Sequence, residues 1–274
     1  MGLARAGSSP ASRRKKMSSI TFLTFLLSFK FVSLVPSVTE IFYLLSAEDK
    51  LLAVSYYCNY PEATKDKEKV GDLLNPDYER IISLKPDFVI LSLPMQKQVE
   101  QNLKKLKINY IAFNPESVNE ILMVIDSLGK LTGKEKRAKF VIDSLKSVLK
   151  GLKTLNCKPK VYVELSENPI YTVGKNSFIN EIVELAGGQN VFSDRETPYF
   201  VPSLEEIVKK NPDVILLLYP QANPKKVAKR YGWKTIKAIK YHKIYTLDQD
   251  LFTRPDPRVF GAIVKLNRLL QSCF

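Results

Sequence analysis

The chain has 274 residues, 45% of them hydrophobic, and 42 lysines and arginines against 28 acids, for a net charge of +14. That length holds two ordinary domains, and that hydrophobic content excludes a largely disordered chain. The basic residues are spread along lysine-rich stretches rather than clustered with aromatics or in a nucleic-acid motif, so solvated helix faces are expected and nucleic acid is not. Three cysteines (Cys58, Cys157, Cys273) make no disulfide framework and no zinc spacing, and a single histidine, His242, gives multi-histidine or Ser-His-Asp chemistry little to work with.

Residues 1–30 form a basic and apolar N-terminal segment. Arg13 to Lys16 precede a ten-residue apolar run, Ile20 to Phe29. Ten residues are too few to span a bilayer, which takes about 20, but suit the core of a signal peptide. An export signal or an uncleaved anchor is expected, although no small-residue cleavage site follows. Phe31–Val35 reads as the first strand. Ser37 and Glu40 have the spacing of a capping box at the start of a helix. Leu51–Ser55 is a second strand, followed by the aromatic loop Tyr56 to Pro61.

The stretch from Pro76 to Pro94 reads PDYERIISLKPDFVILSLP, and the stretch from Pro202 to Pro220 reads PSLEEIVKKNPDVILLLYP. The two copies share Glu79 with Glu205, Pro86-Asp87 with Pro212-Asp213, and both end prolines. Each predicts a short helix, a turn and a buried strand. The separation is too large for adjacent turns of a solenoid, whose periods run at roughly 20–50 residues. Two similar α/β lobes are the expectation, with a ligand cleft between them.

A helix near 95–106 and a strand at Asn109–Phe113 complete the first lobe, 31–132, as alternating strands and helices around a mostly parallel sheet. Val118, Ile121, Leu122, Ile125 and Leu128 then share one helical face, interrupted by Gly129, Thr132 and Gly133. A helix from Lys134 to Leu155, roughly 33 Å long, is expected to be the rigid connector within 133–158. The second lobe, 159–274, runs from the strand Lys160–Leu165 through a helix at 177–186, the second repeat and the strand Lys243–Leu247. A last helix at 257–271 is opened by Pro257.

Glu79 and Glu205 fall near helix N-termini, where the helix dipole favours a carboxylate. As one acid per lobe they also suit a partner that reads them with arginines. Aromatics gather where loops leave strand ends: Tyr56, Tyr57, Tyr171, Tyr199, Phe200 and Phe252. That is the usual binding edge of a parallel sheet, and tyrosine offers a flat face and a hydroxyl to a large, partly polar ring system. Asp250, Arg254 and Arg258 lie in DLFTRPDPR, where the prolines stiffen the loop, so they either fix a polar ligand or pair locally at a helix start. A cytoplasmic α/β enzyme would need a phosphate loop, but Gly187-Gly188 lacks the G-x-G-x-x-G spacing, and it would need a base that His242 is poorly placed to supply.

The order FVSLVPSVTE, VSYYCNYP, ERIISLKPDFVI, NPIYTVGKNSFINEIVELAGGQNVF, EEIVKKNPDVI and DLFTRPDPR resembles the substrate-binding proteins of ABC importers. Within them it is most similar to the helical-backbone class and its cobalamin (vitamin B12) binders. The likeness covers about residues 31–271. It implies two Rossmann-like α/β lobes bridged by one long helix, an extracytoplasmic location, periplasmic or at the cell surface, and no catalysis. The cargo would be a metal chelate, a corrinoid first, that brings its own cobalt or iron, so no resident cofactor is implied. An iron-siderophore or haem on the same framework is the alternative. The positions matching ligand contacts are Tyr57, Leu73, Ser92, Tyr171, Tyr199, Asp250 and Arg254. Leu73 and Ser92 stand where the resemblance would place tryptophans, and Tyr199 replaces another. Glu79 and Glu205 match the acids that dock on the membrane permease.

Overall fold

The computed structural model describes residues 29–271. The first lobe comprises β1 (Phe31–Ser33), α1 (Pro36–Leu44), β2 (Leu51–Val54), β3 (Glu68–Lys69), α2 (Tyr78–Leu84), β4 (Phe88–Leu91), α3 (Lys97–Lys105) and β5 (Tyr110–Ala112). Two helices, α4 (Val118–Thr132) and α5 (Glu135–Lys150), lead to the second lobe. That lobe holds β6 (Lys160–Glu167), β7 (Ile170–Val173), α6 (Phe178–Leu185), β8 (Gln189–Asn190), β9 (Tyr199–Phe200) and α7 (Leu204–Lys210). It continues with β10 (Val214–Leu217), the short helices α8 (Pro224–Val227) and α9 (Lys237–Lys240), β11 (Ile244–Thr246), α10 (Gln249–Thr253) and α11 (Val259–Gln271).

The first sheet has the order β3-β2-β1-β4-β5 and is parallel throughout. Its direction of growth reverses at β1, which makes the carboxyl ends of β1 and β4 a topological switch point, where such sheets bind ligands. The second sheet has the order β11-β10-β6-β7-β9, with β8 also pairing β6. Here the mostly parallel expectation holds for β6, β8, β10 and β11, whereas β7 and β9 run antiparallel to their neighbours. The chain doubles back at Asn168-Pro169, so Tyr171 and Tyr199, read as loop residues, sit on paired strands.

The two repeats fold alike. Asp77 caps α2 and Ser203 caps α7, each through its side chain, and both helices end on a left-handed residue, Lys85 and Asn211. The shared Pro-Asp has a physical reason. Asp87 accepts a hydrogen bond from Lys30 N at 2.7 Å, and its own N donates to Lys30 O at 2.9 Å. Asp213 makes the same pair with Lys160, at 2.9 and 2.8 Å. In each lobe the repeat thus clamps the start of the central strand.

Three sequence expectations change. Ser37 and Glu40 form no capping box: the residue before α1 is Val35, Pro36 opens the helix, and Glu40 is buried against a distant arginine. Gly129 does not interrupt α4. The helix runs through it to Thr132; the position is glycine because a Cβ there would come within 2.5 Å of Ala138 Cβ on α5, and Gly133 at φ 71° ends the helix. The connector is two packed helices rather than one, and α5 is only 16 residues long, about 24 Å. It stops because Asn267 of α11 takes the backbone of Lys153, accepting from its N at 3.3 Å and donating to its O at 3.0 Å.

One apolar core runs through both lobes by way of α4, α5 and α11, joining Phe31, Phe42, Ile125 and Ala138 to Ile182, Leu216 and Phe260. A smaller core lies on each sheet's other face, around Val32 and Leu103 in the first lobe and around Tyr162 and Trp233 in the second. The first lobe also starts earlier than expected. Phe29 packs edge-on against Phe88, with ring centroids 5.3 Å apart, and Lys30 is held by Asp87. A chain beginning at residue 31 is therefore expected to be about 1–3 kcal/mol less stable than one beginning at residue 29, read from urea unfolding of the two; equal midpoints would contradict it. The rest of the N-terminal segment and Cys273 lie outside the described residues.

Candidate functional site

The carboxyl edges of the two sheets meet. Arg254, after β11 in the second lobe, donates from Nη1 to Asn59 Oδ1, after β2 in the first, at 3.1 Å. Its Nη2 pairs with Asp250 one helical turn earlier at 2.9 Å. Asp248 caps this short helix by accepting from Asp250 N, so Asp250 is presented by its backbone and Arg254 by the end of α10.

The remaining expected ligand residues fall on the same edges. Leu73 and Ser92 are joined through a residue the sequence reading missed, the buried Gln96. Its Nε2 donates to Leu73 O and its Oε1 accepts from Ser92 N, both at 2.6 Å. Ser92 Oγ also donates to Asn114 Oδ1 at 3.1 Å. Asn59, Gln96 and Asn114 are amides in loops, with no spacing that marks them in advance. Tyr171 and Tyr199 share one face of the second sheet, because Tyr199 pairs with Val173, two residues from Tyr171 on β7. Tyr57, Tyr171 and Tyr199 are 53%, 43% and 47% exposed and make no hydrogen bond or ring contact with one another among the described residues. Partial burial pushes the Tyr199 phenol above its ordinary range, so its hydroxyl stays neutral.

Arg258 does not join this rim. It turns into the lobe junction, where Nη2 lies 2.8 Å from both Glu40 Oε1 and Asp256 Oδ2 and the guanidinium stacks over Tyr60. Of the two arginines in DLFTRPDPR, Arg254 bridges the lobes at the strand-end rim and Arg258 bridges them inside the junction. His242 is exposed in the turn before β11, as expected of a strand-end residue. Cys58 is buried beside Thr39 and Ser55, and Cys157 is exposed. Among the described residues no group of three His, Cys, Asp or Glu side chains is placed to hold a metal ion.

Glu79 and Glu205 stand in the first turns of α2 and α7, both exposed. Neither has an ion pair among the described residues, whereas their neighbours do: Arg80 holds Glu68, and Arg195 holds Glu206. Beside Glu205 lies a groove of about 320 Å³ lined by Leu204, Val208, Lys209, Tyr231 and Gly232, with Tyr231 97% exposed.

Residues 32–251 match the periplasmic binding protein family. The chain belongs to that family. This periplasmic binding protein is 38% identical over 248 residues, 86% of its own length and 78% of the relative's, to the uncharacterized ABC transporter substrate-binding lipoprotein YvrC of Bacillus subtilis. It is 28% identical over 251 residues, 88% of its length and 89% of the relative's, to the vitamin B12-binding protein of Vibrio cholerae. Among solved structures it is similar to a possible iron-binding (periplasmic solute-binding) protein of Staphylococcus epidermidis, with TM-score 0.79, 30% identity, and 88% and 98% of the two chains covered. The periplasmic binding protein is thus a substrate-binding component of the ABC-importer type with the expected two-lobed α/β fold, and its family is made of transport proteins rather than enzymes. No helix among the described residues is long and apolar enough to cross a membrane.

Proposed function

We propose that this protein captures a cobalamin-like corrinoid outside the cytoplasm and delivers it to the permease of an ABC importer. The observation that carries this reading is the half-exposed tyrosine set, Tyr57 on one lobe and Tyr171 and Tyr199 on the other, at carboxyl edges brought together by Arg254 and Asn59. Flat phenol faces suit a macrocycle, and the amides of Asn59 and Asn114 suit its polar fringe. Leu73 and Ser92 add no rings of their own. The cobalt would arrive inside the ligand. Glu79 and Glu205 are the permease contacts in this reading, and neither has an ion pair among the described residues to compete with a partner's basic side chains. The Bacillus and Vibrio relatives support an extracytoplasmic location.

A second reading, an iron chelate as cargo, is favoured by the Staphylococcus neighbour. Calorimetric titration of the full chain with cyanocobalamin separates the two. Saturable one-to-one binding is expected. Replacing Glu79 and Glu205 with alanine is expected to leave that affinity within about twofold, since exposed substitutions shift free energies by about 0.5 kcal/mol or less, while corrinoid uptake falls. A folded chain that ignores cyanocobalamin would move the cargo to iron chelates, and binding that falls as far as uptake would undo the docking assignment.

A further inference from the structure

The chain carries 42 lysines and arginines, yet its binding edge is almost bare of them. The loops that border the cleft-facing strand ends are 55–61, 70–76, 92–96, 113–117, 168–169, 201–203, 218–223 and 247–258. They contain no lysine and only two arginines, Arg254 and Arg258, against the acids Asp72, Glu116, Asp248, Asp250 and Asp256. Both arginines are committed to carboxylates: Arg258 to Glu40 and Asp256 inside the junction, Arg254 to Asp250 at the rim. Within these loops an anion meets no lysine, only arginines that are already paired, and the acids Asp72, Glu116, Asp248 and Asp250.

We infer that the cleft selects uncharged or cationic chelates and rejects polyanionic ones, and that Asp250 is the specificity residue, by holding Arg254 neutralised. This deepens the corrinoid reading and rests on it for the site but not for the ion balance. Arg254 is the rim's single guanidinium, it is partly exposed, and it already reaches across to Asn59. With Asp250 paired to it, a carboxylated ligand would have to displace that acid and leave it facing the ligand's own charge, a like-charge contact that interfaces use to refuse wrong partners. A neutral ligand asks for no such exchange and can take hydrogen bonds from the guanidinium while the pair stays intact. Without Asp250 the same arginine becomes a bidentate carboxylate receptor.

The test compares ligands of different charge on the full chain: cyanocobalamin, which is uncharged overall, and haemin, which carries two carboxylates. The unmodified protein is expected to bind cyanocobalamin at least 100-fold more tightly. Asp250→Asn is expected to narrow that ratio at least tenfold, chiefly by tightening haemin, and the haemin gain is expected to fade with added salt. Asp250→Glu, which keeps the charge, is expected to preserve the ratio, and circular dichroism of both variants guards against a mere folding loss. Equal binding of the two ligands by the unmodified protein, or a ratio that Asp250→Asn leaves unchanged, overturns the inference. Should neither ligand bind, the corrinoid reading falls, and the charge rule is decided by ferrioxamine B against ferric citrate. Preference for the cationic ferrioxamine, lost in Asp250→Asn, upholds it, and preference for the citrate overturns it.

Discussion

Glu164→Ala is expected to cost about 3–5 kcal/mol of stability, the range for stripping one partner from a buried ion pair, which lowers the melting temperature by about 10 °C for a chain of this size. Glu164 lies in the middle of β6 with no exposed surface. Its two oxygens take Arg230 Nη1 at 2.6 Å and Nη2 at 2.8 Å, and they also accept from the hydroxyls of Tyr219 at 3.0 Å and Tyr162 at 3.2 Å. Alanine leaves a guanidinium that is only 13% exposed, packed over the Trp233 ring, with no counter-charge, and leaves two phenols without their acceptor. Replacing Glu164 by Leu and Arg230 by Met together is expected to recover most of the loss, because both charges are then gone. Urea unfolding of the single and double variants reads this. A single variant that loses less than about 1 kcal/mol would mean that Arg230 finds water or another acid.

The second large effect is a pH slope. Glu40 is buried at the lobe junction, and desolvation, with repulsion from Asp256, pushes its carboxyl up to about 8 against the pull of Arg258. Burial raises Asp256 as well. The charged and titratable groups around Glu40 are Asp256, Arg258 and Arg254 from the segment before α11, Tyr43 from its own helix and Tyr60 from the loop after β2. An acid whose folded value lies above its unfolded one binds its proton more tightly when folded. Stability is therefore greatest at low pH with respect to this group and falls as pH rises from about 4.5 to about 8, by at most about 1.4 kcal/mol per pH unit. Glu40→Gln keeps an acceptor for Arg258 and removes the charge. It is expected to flatten this slope, matching the unmodified protein near pH 5 and exceeding it near pH 8. Melting curves from pH 5 to 8.5 test it; parallel slopes for the two proteins would show that Glu40 is already ionised at pH 5. Its Oε2 is buried without a hydrogen-bond partner among the described residues, beside a junction pocket of about 300 Å³, so the ion pair with Arg258 opposes the desolvation from one side only.

Where local rules set the structure, the chain is readable. The repeated helix-turn-strand unit announces itself by its end prolines and Pro-Asp, and both copies fold as helix, turn and strand; that the shared aspartate pins each central strand is visible only in the structure. The helical face from Val118 to Leu128 and the alternation of strands and helices likewise rest on neighbours in sequence. Two of the misreadings have a partner far along the chain. Glu40 has capping-box spacing, but its ligand is Arg258, 218 residues on. The connector stops short because Asn267, 114 residues away, claims its continuation. Gly129 looks like a break until Ala138 is packed against it. The antiparallel β7 had a signal that was not used, the Asn-Pro turn between two β-rich runs. Of the site, the residues with unusual chemistry, Tyr57, Tyr171, Tyr199, Asp250 and Arg254, stood out in the sequence, whereas Asn59, Gln96 and Asn114 did not, since an amide in a loop looks the same whether or not it faces a cleft.

The continuous core through both lobes makes the molecule a caliper rather than a jaw. Its two arms cannot spread without opening packed apolar surface, parting Arg258 from Glu40 and parting Glu181 from the backbone of Val118. A stiff frame stores little elastic work when the cleft fills, so little of the ligand's affinity is lost to bending the protein. The gap between the tips carrying Glu79 and Glu205 then stays nearly constant, and a receptor that spans both tips measures a fixed length. In the proposed reading, the difference between a loaded and an empty molecule is then written at the cleft rim, in the ligand's exposed edge and the side chains beside it.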